Sequence, residues 1–242
     1  MLLRLSGVFA LMLAAACSAQ APESNSQSQA AAAAPAEATA QSEAPAAASS
    51  GVQYQAGTDY FPVPSPQPIA PDNGRIDVVE VFGYSCIHCA HAQPFVDEWK
   101  KTLPEDVAFT YVPAVFGGIW EVFARAYYTA QTMGVLSRTH NAMFKAVHEE
   151  HRGFRSVDDI AAFYAERGVT KEQFLATMSS FEVNAKIAQA QQQVPAWGVE
   201  GTPSFIVAGK YRVVAPREGS FEKMLDIVDF LVAKERAERT AG

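Results

Sequence analysis

Hydrophobic and polar positions fall into three regimes along this chain. Residues 18–50 are almost all Ala, Ser, Gln, Pro and Glu, with no large apolar side chain. From residue 76 the spacing is that of strands. Ile76-Asp77-Val78-Val79-Glu80-Val81-Phe82 and Val107-Ala108-Phe109-Thr110-Tyr111-Val112 are rich in β-branched and aromatic residues and read as strands over 76–83 and 107–112. Between them Phe95, Trp99 and Leu103, at i, i+4 and i+8, predict a helix over 87–102. From Gly117 the period turns helical. Ile119 to Met133 is ended by Gly134, and Ser137 to Glu150 follows. A capping box of Ser156 and Asp159 starts a helix stopped at Gly168, Thr170 and Gln173 start another, and Glu182 to Gln193 is the last. Strand spacing returns in Ser204–Val207 and Tyr211–Val214, joined by a turn at 208–210 as a hairpin. Ser220 caps a final helix with Phe221, Met224, Leu225, Val228, Leu231 and Val232 on one face, and the charged tail after Glu235 is expected to fray. Upstream, Thr58–Phe61 reads as an edge strand, and the proline-rich 62–68 as a surface wrap. The pattern predicts an α/β domain in two pieces, residues 51–116 and 195–242, with an all-helical block over 117–194 inserted between them.

The N-terminal residues have a different purpose. Arg4 gives a short positive segment, Val8 to Ala16 is apolar and ends in small residues, and Cys17 follows. Residues 1–16 are expected to be a cleaved export signal. The stretch resembles a bacterial lipobox, with Ala14 where Leu is most usual. Lipidation of Cys17 is favoured over ordinary cleavage that leaves an idle cysteine. Ser18, rather than Asp, favours the outer membrane in Gram-negative lipoproteins. Residues 17–50 cannot bury enough surface to offset chain entropy and are expected to be a disordered tether. Either route exports the domain to a compartment where disulfides persist.

Charge and length narrow the classes. The 242 residues carry a formal net charge of −7, and 49% of them are hydrophobic, enough for one large domain or two small ones. Residues 1–50 contribute only Arg4, Glu23, Glu37 and Glu43, which leaves the rest at −5. This balance argues against nucleic acid as a partner. No internal apolar run is long enough to span a bilayer.

The candidate chemistry is Cys86-Ile87-His88-Cys89, placed where a strand feeds the start of a helix. Free N–H groups and the dipole at a helix N-terminus stabilise an anion, so Cys86 is expected to ionise below the free-cysteine range, with His88 adding a donor or a positive charge. A stabilised thiolate favours the dithiol and makes the disulfide a better oxidant. Haem attachment requires His directly after the second cysteine, and Ala90 stands there. A zinc site needs two more ligands, and His88 and His91 are too local to supply them, so no metal is expected. His148 and His151, flanking Glu149-Glu150, are read as a solvated helix end. Glu80 interrupts an apolar strand on the face opposite Val79 and Val81. Buried beneath the helix, its carboxyl would ionise only at raised pH and could pass a proton to or from Cys89. The bland alternative is a solvated strand residue. Trp120 and Phe123 are expected to pack the helical block, and Tyr84, Ile87 and Trp120 to line an apolar substrate groove.

Two stretches, Val79 to Cys89 and Gly201-Thr202-Pro203-Ser204-Phe205, together resemble the DsbA family of thiol:disulfide oxidoreductases, a likeness that covers about residues 54–235. The resemblance implies a thioredoxin-like fold with a helical insertion at the place seen here. It implies a Cys86–Cys89 disulfide donated to reduced exported proteins, and Thr202 with a cis Pro203 facing the cysteines to pair with an extended substrate. It supports Glu80 as the proton-handling acid. It further implies a monomer in the periplasm, no cofactor, and reoxidation by a DsbB-like quinone-linked inner-membrane partner. Three positions depart from the family pattern. Ile87 replaces a proline, Thr202 stands where Val is frequent, and no lysine occupies 109–112 to pair with Glu80. A disulfide reductase or isomerase of the same fold is therefore the alternative, and a non-catalytic metal-binding CxxC module the remaining one.

Overall fold

The computed structural model describes residues 53–71, 74–215 and 220–241. The export signal expected over 1–16, Cys17 and the tether expected over 17–50 lie outside them.

A five-stranded sheet organises the domain. Its strands are β1 (Phe61–Pro62), β2 (Ile76–Phe82), β3 (Val107–Pro113), β4 (Ser204–Val207) and β5 (Tyr211–Val214), in the order β1-β5-β4-β2-β3. β2 runs parallel to β3 and antiparallel to β4, and β5 is antiparallel to both β4 and β1. β2 is central and buried along nearly its whole length, which explains its near-continuous apolar run. Ala208 and Gly209 turn the β4–β5 hairpin with positive φ. A side chain at Gly209 would also strike the Gln67 backbone oxygen, so the proline-rich segment packs on this turn.

Helix α1 (Ile87–Lys100) crosses from β2 to β3, and α7 (Phe221–Ala241) packs beside it. Val78, Val96, Trp99, Phe205, Val213 and Val228 form part of the core they share with the sheet. Between β3 and β4 come α2 (Ile119–Thr132), α3 (Leu136–His148), α4 (Val157–Ala165), α5 (Lys171–Met178) and α6 (Phe181–Ala196). Their core is continuous with Val79, Val81 and Phe82 of β2. Both expected capping boxes form, Ser156 with Asp159 and Thr170 with Gln173.

The structure fixes the buried face of α1 and corrects three expectations. The buried face of α1 runs through Cys89, Ala92, Gln93, Val96 and Trp99. Val96 is 1% exposed whereas Phe95 is 38% exposed and meets the Phe221 ring instead, because 3.6-residue spacing from Cys89 leads to Val96. The edge strand is Phe61–Pro62 rather than Thr58–Phe61, and Pro62 is tolerated because the strand is an edge. α7 does not fray after Glu235 but runs to Ala241. Buried Glu235 binds Lys210 and Arg239, and Arg236 grips Asp106 with two hydrogen bonds. His148 is not a solvated helix end: its Nε2 lies 2.7 Å from the Tyr84 carbonyl oxygen.

Candidate active site at the start of the first helix

Cys86 is the N-cap of α1 and Cys89 lies in its first turn. Both are in the dithiol form, Cys86 8% exposed and Cys89 fully buried. The Cys89 backbone N–H donates to Cys86 Sγ at 3.2 Å. The Cys86 thiol in turn lies 3.4 Å from the carbonyl oxygen of Thr202, to which it donates. The Thr202–Pro203 peptide bond is cis and brings Thr202 against the cysteine pair.

These contacts separate the two thiols. Cys86 is pushed down to about 5, first by a hydrogen bond from the Cys89 thiol, then by one from the Thr202 side chain and by the backbone N–H groups of Cys89 and His88. Burial opposes this but does not win. Cys89 moves the other way, well above the ordinary thiol range, through burial and the neighbouring Cys86 sulfur. One exposed-side thiolate and one protonated partner behind it are what thiol–disulfide exchange requires.

Glu80 lies wholly buried on β2, with neither carboxyl oxygen hydrogen-bonded among the described residues. Burial raises it to about 8; Lys100 pulls it down, and Asp97 and Cys86 push it up. It is held largely as the neutral acid at pH 7, able to donate a proton. His88 is exposed, and its contribution to the Cys86 sulfur comes from its backbone N–H.

The walls differ in part from expectation. Tyr84 does not line a groove: it is core, with its hydroxyl 2.9 Å from His140 Nδ1. Trp120 packs over Gly83, where any Cβ would collide with the indole. Ile87, 43% exposed, borders a cavity of about 460 Å³ between α1 and α3. A second cavity of about 560 Å³ opens beside Thr202 and is lined by His88, Phe95, Ser220 and Phe221. It offers a trough beside Thr202 in which the Phe95 and Phe221 rings lie among polar side chains.

Three comparisons bear on this site. A protein-family profile described as a DSBA-like thioredoxin domain matches residues 105–226. The thiol:disulfide interchange protein DsbA of Pseudomonas aeruginosa is 41% identical over 184 residues, 76% of this chain and 87% of that protein. The chain belongs to the DsbA family. It is a protein dithiol:disulfide oxidoreductase with a thioredoxin-like fold and a helical insertion. The crystal structure of Pseudomonas aeruginosa DsbA matches with a TM-score of 0.73 at 40% identity, covering 77% of this chain and 97% of that one. The oxidoreductase DsbA from Xylella fastidiosa gives 0.70 at 43% identity, covering 74% and 96%.

Two features of this family member escaped the reading of its sequence. One is His148, which ties α3 to the carbonyl two residues before Cys86. The other is a polar cluster on α1, Gln93, Asp97 and Lys100, which meets the Tyr111 hydroxyl. Their i, i+4, i+7 spacing marks one helix face and was the available signal.

Proposed function

We propose that this protein is a periplasmic dithiol oxidase that donates the Cys86–Cys89 disulfide to reduced exported proteins. A substrate thiolate attacks Cys86 Sγ, the Cys86–Cys89 bond breaks, and its electron pair goes to Cys89. Glu80 supplies the proton that neutralises the departing Cys89 sulfur. The substrate's second thiolate then attacks its own cysteine in the mixed disulfide and releases Cys86 as a stabilised thiolate. Thr202 and Pro203 hold the substrate chain as an extended segment, and His88 presents its backbone N–H to Cys86. A quinone-linked membrane protein of the DsbB kind restores the disulfide.

The observation that carries this reading is Cys86 at the N-cap of α1, its sulfur accepting the Cys89 N–H beside a buried Cys89, an arrangement that pushes Cys86 down to about 5. A sulfur that leaves readily as a thiolate drives disulfide transfer outward. A reductase would share the fold but hold its disulfide more tightly. The deciding experiment mixes oxidised protein with one equivalent of a reduced, unfolded two-cysteine protein. Near-complete transfer of the disulfide is expected. Transfer in the opposite direction, with the oxidised substrate reduced by the dithiol enzyme, would make it a reductase.

The N-terminal residues complete the proposal. Residues 1–16 direct export, lipidated Cys17 anchors the protein to a membrane facing the periplasm, and residues 17–50 tether a monomeric catalytic domain. The composition of 1–50 supports this reading. Cys17→Ser should move the protein to the soluble periplasmic fraction. Wild-type protein that is already soluble and lacks an acyl mass would refute the anchor.

A further inference from the structure

Glu80 has no cation on the strand beside it, since β3 reads Val-Ala-Phe-Thr-Tyr-Val-Pro. The charge comes from α1. Lys100 Nζ donates to the Tyr111 hydroxyl at 2.9 Å, with the amine 4.8 Å from the ring centroid. Tyr111 is the β3 residue in register with Glu80, so the two side chains share one face of the sheet. Lys100 is held in place by Asp97 at 2.8 Å. Gln93 donates to both the Tyr111 hydroxyl and Asp97, at 2.9 and 3.0 Å. Asn141 of α3 donates to the other Asp97 oxygen at 2.6 Å.

We propose that Lys100, held beside Tyr111 and fixed by Asp97, is the positioning residue that sets the ionisation of Glu80. This rests on Glu80 as the proton partner of Cys89. The Tyr111 oxygen already accepts from two donors, which occupies both of its lone pairs. Both Glu80 oxygens lack a hydrogen-bond partner among the described residues, so the Lys100 charge fixed at Tyr111 acts on them through space across the face that Tyr111 and Glu80 share. That arrangement favours the carboxylate that forms when Glu80 gives its proton to the Cys89 sulfur. It favours the same carboxylate in the reverse step. There Glu80 takes the Cys89 proton as Cys89 attacks Cys86 in a mixed disulfide and expels the partner's sulfur as a thiolate.

The other groups around Glu80 do not supply this charge. Cys86, Cys89 and Asp97 on α1 are neutral or negative. Tyr127 on α2 and Tyr111 on β3 are phenols held neutral by burial. His140 on α3, whose ring centroid is 4.4 Å from that of Tyr111, is pushed down to about 3 by burial and is also neutral. Phe205 pairs with Glu80 across β4 and carries no charge. Lys100 is the cation whose charge acts on Glu80.

The test follows the Glu80 carboxyl by carbon NMR in oxidised protein, where no thiol titrates. Lys100→Met should raise its midpoint by about one pH unit, a tenfold change in the ionised fraction. Lys100→Arg should restore it, and Asp97→Asn, which keeps an oxygen to accept from Lys100 but removes the negative charge, should move it downward. A purely structural role would not give opposite signs for Lys100 and Asp97. An unmoved midpoint in Lys100→Met, or equal shifts in the Met and Arg variants, overturns the proposal. Glu80→Gln separately tests the underlying reading. If the pH profile of disulfide re-formation is the same in that variant as in wild type, Glu80 is not the proton partner, whatever Lys100 does to its titration.

Discussion

The imidazole of His148, at the last turn of α3, lies 2.7 Å from the carbonyl oxygen of Tyr84, two residues before the reactive cysteine. Tyr84 is also bonded through its hydroxyl to His140 of the same helix. Two histidines of the helical insertion thus hold the segment that leads into the CxxC. His148→Ala removes the donor to a backbone acceptor and should cost about 1 kcal/mol of unfolding free energy. Urea denaturation of the oxidised protein measures this, and a variant as stable as wild type would show that the contact does not fasten the segment.

The two shifted groups of the site predict opposite pH dependences. In reduced protein the folded Cys86 titrates near 5, whereas an unfolded cysteine does so near about 8.5. Its contribution to stability is therefore complete above about pH 8.5 and is lost as pH falls through 5. Glu80 has the opposite sign. Folded, it keeps its proton up to about 8, while unfolded it loses it near about 4.3. Its contribution is present below about pH 4.3 and is lost as pH rises through 8. Each slope is at most about 1.4 kcal/mol per pH unit. Between about pH 6.5 and 8, above the range in which the buried neutral His140 adds its own rise with pH, they oppose, so reduced protein should vary little. Oxidised protein lacks the Cys86 thiol and should lose stability as pH rises over that range. Melting both forms from about pH 6.5 to 8 checks this, and an oxidised form that gains stability with pH over that range would contradict it.

Gly83 predicts a steric effect. The Trp120 indole occupies the space a Cβ would need, and the Gly83 carbonyl accepts from the Cys86 N–H at 3.0 Å. Gly83→Ala should destabilise by about 1–3 kcal/mol through overpacking and disturb Trp120 fluorescence. Unchanged emission together with an unchanged denaturation midpoint would show that the indole moves aside freely.

What was legible in the sequence was local in the chain. Ser156 with Asp159 and Thr170 with Gln173 lie three residues apart, and each capping box closes within one turn. The CxxC and the strand before it are contiguous, and Thr202-Pro203 stands out through its own dipeptide. What was missed depends on distant partners. The charged end of α7 reads as a fraying tail until Lys210, Asp106 and the Arg75 carbonyl are placed against it. His148 reads as a solvent residue until Tyr84, 64 positions earlier, comes beneath it. Phe95, Trp99 and Leu103 mark the helix by their spacing but do not say which of its residues are buried. The helix rotates to bury Cys89, and that turns Val96 inward.

The central claim is that Cys86 is acidic enough to make its disulfide a donor. Equilibration with glutathione buffers of graded ratio, followed by alkylation of Cys86 and Cys89 and mass analysis, measures the reduction potential directly. A potential more oxidising than about −180 mV, toward the roughly −120 mV of a strong DsbA oxidant, is the predicted result. A value near the roughly −270 mV of thioredoxin would contradict the account and assign the protein to disulfide reduction.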